Sequence, residues 1–121
     1  MRVLIVEDVP DYAHLLEMLV ARCGHYAMSV NSGAEALDCA GAMHPELVLV
    51  DLGLPGMDGY EVASRLRGEV GLEDAKIMAL SGYAPDLRRN EESGIDGHLM
   101  KPVRLSALKA LLGDCSPGHA A

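Results

Sequence analysis

The feature that most restricts the fold of this chain is an alternation, repeated five times, between short apolar runs and segments with helical spacing. The apolar runs occupy residues 2–6, 26–30, 46–51, 76–81 and 97–100. A short apolar run predicts a buried strand, and strands that alternate with helices predict a parallel sheet with helices on both faces. The sequence therefore predicts a single α/β domain over residues 1–113, followed by a flexible tail at residues 114–121.

Helix start and stop signals lie between these runs. Pro10 suits the first turn of a helix, and Gly24 suits the position after its end. Two pairs have the spacing of a capping box, Ser32 with Glu35 and Asp58 with Glu61. The predicted helices cover residues 10–23, 32–43, 58–67, 85–93 and 105–113. The first helix carries apolar residues at helical spacing, namely Tyr12, Leu15, Leu16, Leu19, Val20 and Cys23.

Composition and charge exclude several classes of function. A net charge of −8 argues against direct binding of nucleic acid, since such proteins carry basic patches. No apolar run approaches the roughly 20 residues that span a bilayer, and no charged-then-apolar leader precedes the first strand. We therefore expect a cytoplasmic protein without membrane insertion. The cysteines Cys23, Cys39 and Cys115 are far apart and odd in number, which favours thiols in a reducing compartment over a disulfide or a metal site.

Polar and charged residues stand at the ends of four predicted strands. Glu7 and Asp8 follow the first strand, Asp51 ends the third, Ser81 ends the fourth, and Lys101 follows the fifth. Because sites in open parallel sheets form beyond the carboxyl ends of the strands, we expect these side chains to converge. An aspartate at a strand end is often only a turn or capping residue, and for Asp51 alone that interpretation is favoured. The five residues together favour a functional site.

The residue types at these strand ends indicate phosphoryl chemistry. Three converging carboxylates repel one another unless a cation or a proton intervenes. Mg²⁺ prefers hard oxygen ligands and retains several water molecules, so it suits Glu7, Asp8 and Asp51. A lysine and a small hydroxyl group can contact an anion beside them. The set predicts a site for a transferred phosphoryl group, with Asp51 as the nucleophile that forms an aspartyl phosphate.

Four segments, in this order and spacing, make the chain resemble a known family. They are VLIVED at 3–8, LVLVDLGLPGMDGYE at 47–61, ALSG at 79–82 and LMKP at 99–102. The chain resembles the receiver domain of two-component response regulators over residues 2 to about 113. The resemblance implies a flavodoxin-like three-layer fold with five helices and strand order 2-1-3-4-5. GLPGMDGYE and GHLMKPV also resemble receivers attached to hybrid histidine kinases, so a free-standing regulator and such a receiver both stay open.

The resemblance implies a role for each acidic residue. Asp51 is expected to be the phosphoacceptor, which receives its phosphoryl group from a histidine kinase or a histidine phosphotransfer protein. Glu7 and Asp8 are expected to hold Mg²⁺, directly or through water. Asp51 and the backbone carbonyl of Gly53 are expected to complete the metal site. Gly53 also departs from the family, where this position usually carries a side chain, and we expect its absence to leave the acyl phosphate exposed to water.

The resemblance also implies a switch. Ser81 is expected to move toward the phosphoryl group, and Lys101 is expected to pair with a phosphoryl oxygen beside a cis bond to Pro102. The family's second switch residue is commonly Tyr or Phe three positions before the lysine, and here that position is His98. A half-buried strand histidine satisfied by a hydrogen bond is the simplest interpretation. The alternative is that His98 reports the state of Ser81 with a pH-dependent charge, or that Tyr83 supplies the missing aromatic ring.

The expected output surface is formed by helix 4, strand 5 and helix 5. Its candidate residues are Asp86, Arg88, Arg89, Glu91, Arg104 and Lys109. An ordinary solvated surface is at least as well supported for each of them. The expected function is a phosphorylation-activated switch that changes conformation and partner binding, and that catalyses only its own phosphorylation and dephosphorylation.

Rival interpretations fit the sequence less well. A phosphatase of the haloacid dehalogenase type needs a second aspartate two residues after the first, where this chain has Gly53. A P-loop nucleoside triphosphatase could use the strand at residues 47–51 to bind its metal ion, but it needs a G-x-x-x-x-G-K-[ST] motif, which the chain lacks. An interaction module that is never phosphorylated need not keep all five key residues, although such a module, or a phosphate sink, stays an alternative.

Overall fold

The computed structural model describes residues 1–112 of the chain. In that range, five strands alternate with five α-helices. The strands are β1 (Arg2–Val6), β2 (Tyr26–Val30), β3 (Leu47–Asp51), β4 (Lys76–Ser81) and β5 (Gly97–Met100). The helices are α1 (Pro10–Arg22), α2 (Gly33–Met43), α3 (Gly59–Arg65), α4 (Leu87–Ser93) and α5 (Leu105–Leu112).

The strands form one parallel sheet in the order β2-β1-β3-β4-β5. All strands therefore end at the same side of the sheet, which we call the carboxyl edge, and begin at the opposite side, the amino edge. This order and the alternation with helices confirm the predicted flavodoxin-like architecture.

The central strands are buried on both faces, which explains their continuous apolar runs. Along β1, Val3 and Ile5 face the layer of α1 and α5, whereas Leu4 and Val6 face the layer of α2 and α3. The same alternation sorts β3 and β4 into two cores. The sheet and its two helical layers therefore form the expected three-layer sandwich.

Most of the predicted helix boundaries hold, and the caps explain why. The Ser32 hydroxyl accepts a hydrogen bond from the Glu35 backbone N–H at 3.2 Å, and the Asp58 carboxylate accepts one from Glu61 at 2.9 Å. The fourth helix begins at Leu87 rather than at residue 85, because Asp86 acts as its cap and accepts from the Arg89 N–H.

The orientation of α1 differs from the predicted apolar face. Ala13, Leu16 and Val20 are buried against the sheet, but Leu15 is 45 % exposed. Adjacent helix positions are separated by about 100°, so a helix that turns Leu16 inward turns Leu15 toward its flank. Local spacing allowed either rotation, and packing against β1 and β2 selects one.

The third helix extends further than predicted. After α3, residues Leu66–Val70 form a π-helical turn, which ends at Gly71 in the left-handed conformation. This turn carries Arg67, whose guanidinium donates to the backbone oxygens of Leu72, Ala75 and Gly94. The π-helical turn thus carries the side chain whose hydrogen bonds connect the loops before β4 and β5 at the amino edge.

The predicted end of the last helix at Gly113, the predicted tail and Cys115 lie outside the described residues. No helix within residues 1–112 has both the length and the apolar character needed to cross a membrane.

Candidate functional site

The carboxyl edge of the sheet brings the predicted acidic residues together. Val6 of β1 pairs with Val50 of β3, so the residues that follow them, Glu7 and Asp51, lie side by side. Carboxylate oxygens of Glu7, Asp8 and Asp51 all lie within 4.8 Å of one another. Glu7 and Asp51 are buried, and Asp8 is half-buried. Like charges at such distances are strongly unfavourable in a buried setting, so the cluster needs a compensating cation.

Lys101 is the cation that reaches this cluster. Its Nζ lies 2.8 Å from Oε1 of Glu7 and 3.2 Å from Oδ2 of Asp51. Burial alone would lower the pKa of Lys101, but its hydrogen bond to Glu7 and the charge of Asp51 outweigh burial and raise the pKa. Lys101 is therefore held in its charged form. The peptide bond from Lys101 to Pro102 is cis, the conformation expected from the resemblance.

Glu7 is the least solvated member of the cluster. Burial raises the pKa of its carboxyl group, and the hydrogen bonds from Lys101 and from the Val9 N–H oppose this effect without cancelling it. Both oxygens of Glu7 are thus engaged by protein donors. Asp8, by contrast, has no hydrogen bond or ion pair with any residue in the described range 1–112, which leaves its oxygens available to a ligand.

Two glycines shape the surroundings of Asp51. The Gly53 N–H donates to Oδ1 of Asp51 at 3.0 Å. A Cβ atom on Gly53 would lie 3.7 Å from that oxygen, an ordinary contact, so a side chain fits there. A Cβ atom on Gly59 would lie 2.5 Å from the backbone oxygen of Asp51 and 2.8 Å from Cα of Leu52. Gly59 is therefore required for α3 to approach the loop after β3, whereas Gly53 is not required by packing.

Ser81 and His98 are connected through the backbone of Tyr83. The Tyr83 N–H donates to the Ser81 hydroxyl at 2.9 Å, and His98 Nε2 lies 3.0 Å from the Tyr83 carbonyl oxygen. A carbonyl can only accept, so Nε2 carries the hydrogen in this contact. Tyr83 itself is 83 % exposed, so its side chain is not packed between Ser81 and His98, and its role as the switch aromatic stays a prediction. A peptide group, and not an aromatic ring, joins the two predicted switch residues.

A cavity of about 390 Å³ opens next to Asp51. Its walls are formed by residues that end or follow β3 and β4, by the residue after β5 and by the first turn of α3. They are Asp51, Leu52, Gly53, Tyr60, Ser81, Gly82, Tyr83, Ala84 and Lys101. Asp51, Ser81 and Lys101 thus line one cavity, which is large enough for a phosphoryl group and part of its donor.

Four contacts made by aromatic or cationic side chains around this site were not predicted. The Arg89 guanidinium lies 3.9 Å from the centroid of the Tyr60 ring and 3.6 Å from the Asp58 carboxylate. Arg89, expected on the output surface, is therefore held against α3. Lys101 Nζ lies 5.0 Å from the centroid of the Tyr12 ring, and the hydroxyl oxygen of Tyr12 accepts a hydrogen bond from the Val103 N–H. Local spacing cannot identify these contacts, because each joins residues that are distant along the chain.

Comparison with known sequences identifies the family. The model of the response regulator receiver domain matches residues 3–113. The chain belongs to the response regulator receiver family. The predicted resemblance is thereby confirmed, and it covers nearly the whole chain.

Relatives of this receiver domain include short and long proteins. The polar-differentiation response regulator DivK of Brucella ovis is 32% identical over 118 residues, which cover 93% of this chain and 96% of DivK. The sensor histidine kinase RcsC of Escherichia coli (strain K12) is 34% identical over 113 residues. That match covers 93% of this chain but only 12% of RcsC, so the chain spans a small part of that relative.

A solved structure with a similar fold holds a metal ion in its own cleft. The receiver domain of the sensor histidine kinase PA1611 from Pseudomonas aeruginosa PAO1 has a TM-score of 0.80 and 28% identity, over 92% of this chain and 93% of that chain. That structure holds a magnesium ion coordinated in its active-site cleft. In this chain, the clustered oxygens of Glu7, Asp8 and Asp51 are the hard ligands that Mg²⁺ prefers, so the donor set fits this ion.

Proposed function

We propose that this receiver domain is a phosphorylation-activated switch in which Asp51 accepts a phosphoryl group from a phosphohistidine. The donor would be a histidine kinase or a histidine phosphotransfer protein. The observation that carries the proposal is the position of Asp51, which shares one cavity with Lys101 and Ser81 and adjoins two further carboxylates. This arrangement places a nucleophile, a cation and a hydroxyl group around one reacting centre.

The chemical step is an in-line displacement at phosphorus. A carboxylate oxygen of Asp51 forms the new P–O bond while the P–N bond to the donor imidazole breaks. The imidazole leaves with the bonding electron pair and takes up a proton. Lys101 then pairs with a phosphoryl oxygen instead of sharing its charge between Glu7 and Asp51, and the Ser81 hydroxyl donates to another phosphoryl oxygen.

We propose that Mg²⁺ is the cofactor. Asp8 and Asp51 would ligate it, with the carbonyl of Gly53, and Glu7 would contribute its charge directly or through water. Bound Mg²⁺ supplies charge neutralisation for the phosphoryl oxygens. The support is the cluster of three carboxylates, of which Lys101 contacts only two, together with the oxygens of Asp8, which have no partner among the described residues.

The contacts around Tyr83 provide a route for the signal. When Ser81 turns its hydroxyl toward the phosphoryl group, the Tyr83 N–H loses its acceptor, and the loop after β4 is released. His98 then loses the carbonyl that its Nε2 contacts. Phosphorylation would thereby shift the population of conformations at the surface of α4, β5 and α5, which we propose as the output surface.

We further propose that the protein turns over no separate substrate and acts in the cytoplasm. As a switch it catalyses only its own phosphorylation and hydrolysis. A phosphate sink or an interaction module independent of phosphorylation is the alternative, and the following experiment separates it from the switch.

The test is the intact mass of the protein after incubation with acetyl phosphate and Mg²⁺. We expect a gain of one phosphoryl group that is lost without Mg²⁺ and in Asp51→Asn. The matched control is Asp74→Asn, which makes the same change at the amino edge and should retain the gain. If the parent gains no mass, phosphotransfer from a cognate phosphohistidine protein is measured next. Failure of both donors contradicts the switch and supports the unphosphorylated module.

Gly53 is expected to determine the lifetime of the phosphorylated state. The Cβ atom of a Gly53→Asn side chain would lie 3.7 Å from Oδ1 of Asp51, an ordinary contact, and we expect its amide to contact attacking water. We expect the hydrolysis rate of the phosphorylated variant to change by about threefold or more, roughly the effect of one hydrogen bond. Loss of the phosphoryl group is followed by intact mass. An unaltered rate would show that the glycine has no influence on water access.

A further inference from the structure

Tyr60 lines the cavity beside Asp51, and three separate contacts fix its position. It is the second residue of α3, and Gly59 lets that helix begin against the backbone of Asp51 and Leu52. Its side chain is half-buried and packs against the core that faces α2 and α3. On its other side, the Arg89 guanidinium of α4 lies 3.9 Å from the ring centroid. The ring is therefore held in place before a donor reaches the cavity.

Arg89 is itself held by charge. Its Nη2 lies 3.6 Å from Oδ2 of Asp58, the residue that caps α3. The other oxygen of Asp58 accepts the hydrogen bond from the Glu61 N–H, which fixes this carboxylate. A guanidinium can stack on a ring with its plane and donate at its edge, so the two contacts of Arg89 are compatible. We call Asp58, Tyr60 and Arg89 together the Tyr60–Arg89 stack, which joins α4 to the start of α3.

The lining of the cavity divides into two parts of different chemistry. Asp51, Ser81 and Lys101 offer a carboxylate, a hydroxyl group and an ammonium group. The remaining part is apolar or aromatic and includes Tyr60 and Tyr83. Tyr83 is 83 % exposed, whereas Tyr60 is half-buried and held by the stack. A phosphohistidine has the same two parts, a charged phosphoryl group and an imidazole ring.

We propose that Tyr60 packs on the imidazole ring of the donor and selects donors that carry a ring, and that Arg89 is the residue that positions Tyr60. The inference rests on the proposed phosphorylation of Asp51 and adds the group that recognises the donor. Because the guanidinium covers one face of Tyr60, the edge and the opposite face are left for a second ring. Aromatic pairs favour edge-to-face and offset arrangements, which need only these surfaces.

The contact acts on the displacement without changing its chemistry. The P–N bond breaks as a carboxylate oxygen of Asp51 forms the P–O bond, and the imidazole leaves with the bonding electron pair and takes up a proton from solvent. A ring that packs on Tyr60 throughout this step holds the phosphorus near Asp51. Such binding raises the second-order rate constant for phosphorylation by donors with a ring and leaves donors without a ring unaided.

The test compares two small donors that both transfer from a P–N bond. Phosphoramidate has no ring, whereas N-phosphorylimidazole has one. The full chain is incubated with each donor and Mg²⁺, and the second-order rate constants are obtained from intact mass. The measured quantity is the ratio of the constant for the ring donor to that for the ringless donor. Altered folding or Mg²⁺ binding changes both constants together, so the ratio isolates recognition of the ring.

The variants examine the ring and its positioning separately. Tyr60→Leu should lower the ratio by about fivefold, the contribution of one aromatic pair, and Tyr60→Phe should retain it. Arg89→Ala should lower the ratio by about twofold, because the ring loses its cationic contact. The matched control is Arg88→Ala, the same change at the neighbouring residue, which pairs with Glu92 and should retain the parent ratio.

The outcomes separate this inference from the proposed function. If the chain is phosphorylated but Tyr60→Leu keeps the parent ratio, the inference is wrong and the switch stands. Equal losses in Arg88→Ala and Arg89→Ala would overturn the role of Arg89. A loss of the ratio in Tyr83→Leu and not in Tyr60→Leu would assign the ring contact to the exposed tyrosine instead. If neither small donor nor a cognate phosphohistidine protein phosphorylates the parent, the proposed function fails and the inference fails with it.

Discussion

The two edges of the sheet differ in how far their charged side chains are compensated by neighbouring groups. At the amino edge, the Arg67 guanidinium donates to backbone oxygens of Leu72, Ala75 and Gly94 and pairs with Asp96 at 2.8 Å. At the carboxyl edge, three carboxylates lie together, and Lys101 contacts two of them, Glu7 and Asp51. In the first arrangement, one cation is surrounded by several hydrogen-bond acceptors, and it joins the loops that precede β4 and β5. The second has more negative charge than its one lysine compensates.

This difference separates stability from function within one sheet. Satisfied hydrogen bonds to backbone groups stabilise a fold in every condition. Uncompensated carboxylates destabilise the free protein, and a bound cation relieves their repulsion. The comparison therefore predicts that substitutions at the amino edge change stability alone, and that those at the carboxyl edge change stability in a way that depends on Mg²⁺.

The largest effect on stability is expected for Arg67→Ala. The change leaves several backbone oxygens of the amino edge without their donor, at a cost of about 3 kcal/mol in the free energy of unfolding. Arg65→Ala is the matched control. Within residues 1–112 Arg65 makes only exposed ion pairs, with Glu61 and Glu69, so this substitution should cost about 0.5 kcal/mol. Urea unfolding measures both. Similar losses in the two variants would contradict the role given to Arg67.

The second effect concerns Lys101→Met in buffer without Mg²⁺. The change leaves Glu7 and Asp51 without their cation, and we expect a loss of about 2 kcal/mol, because protonation of Glu7 relieves part of the repulsion. Saturating Mg²⁺ should restore part of the loss. The control is Lys109→Met, an exposed lysine of α5 that should be neutral. A variant as stable as the parent without Mg²⁺ would show that the carboxylates are not under repulsion.

The third effect is stabilisation of the parent by Mg²⁺. A ligand that binds only the folded state adds about 1.4 kcal/mol at ten times its dissociation constant. Calorimetric unfolding should show this rise in the parent and in Asp11→Asn, whose carboxylate lies outside the cluster. It should be absent in Asp8→Asn, which lacks the carboxylate that the described residues leave unpaired. A rise that survives in Asp8→Asn would place the ion elsewhere.

The smallest effect belongs to Glu46 at the amino edge. A hydrogen bond from the Arg2 N–H lowers the pKa of Glu46. A lowered folded-state pKa stabilises the protein above the usual range for glutamate, and the stabilisation disappears as pH falls through that lowered pKa. Glu46→Gln should therefore reduce Tm slightly at neutral pH and not at strongly acidic pH. Glu73→Gln, at the same edge, should show no such pH-dependent difference, and an equal difference there would refute the assignment.

Prediction from the sequence succeeded where the signal was local. Apolar runs such as residues 47–51 located the strands, and the caps at Ser32 and Asp58 located the starts of two helices. It failed for the side of α1 that carries Leu15 and for the π-helical turn after α3. In both cases several arrangements satisfy the local spacing, and packing against distant elements decides among them.

The sequence by itself determined which residues end the strands, and parallel topology then required Glu7, Asp51, Ser81 and Lys101 to share one edge. Only the tertiary structure decided which groups touch. The bond from Lys101 to Glu7 joins residues 94 positions apart, and the link between Ser81 and His98 uses the backbone of Tyr83, which no side-chain pattern encodes. The hydrophobic period and the residue types are properties of short segments. Hydrogen-bond partners depend instead on how folding brings together segments that are distant along the chain.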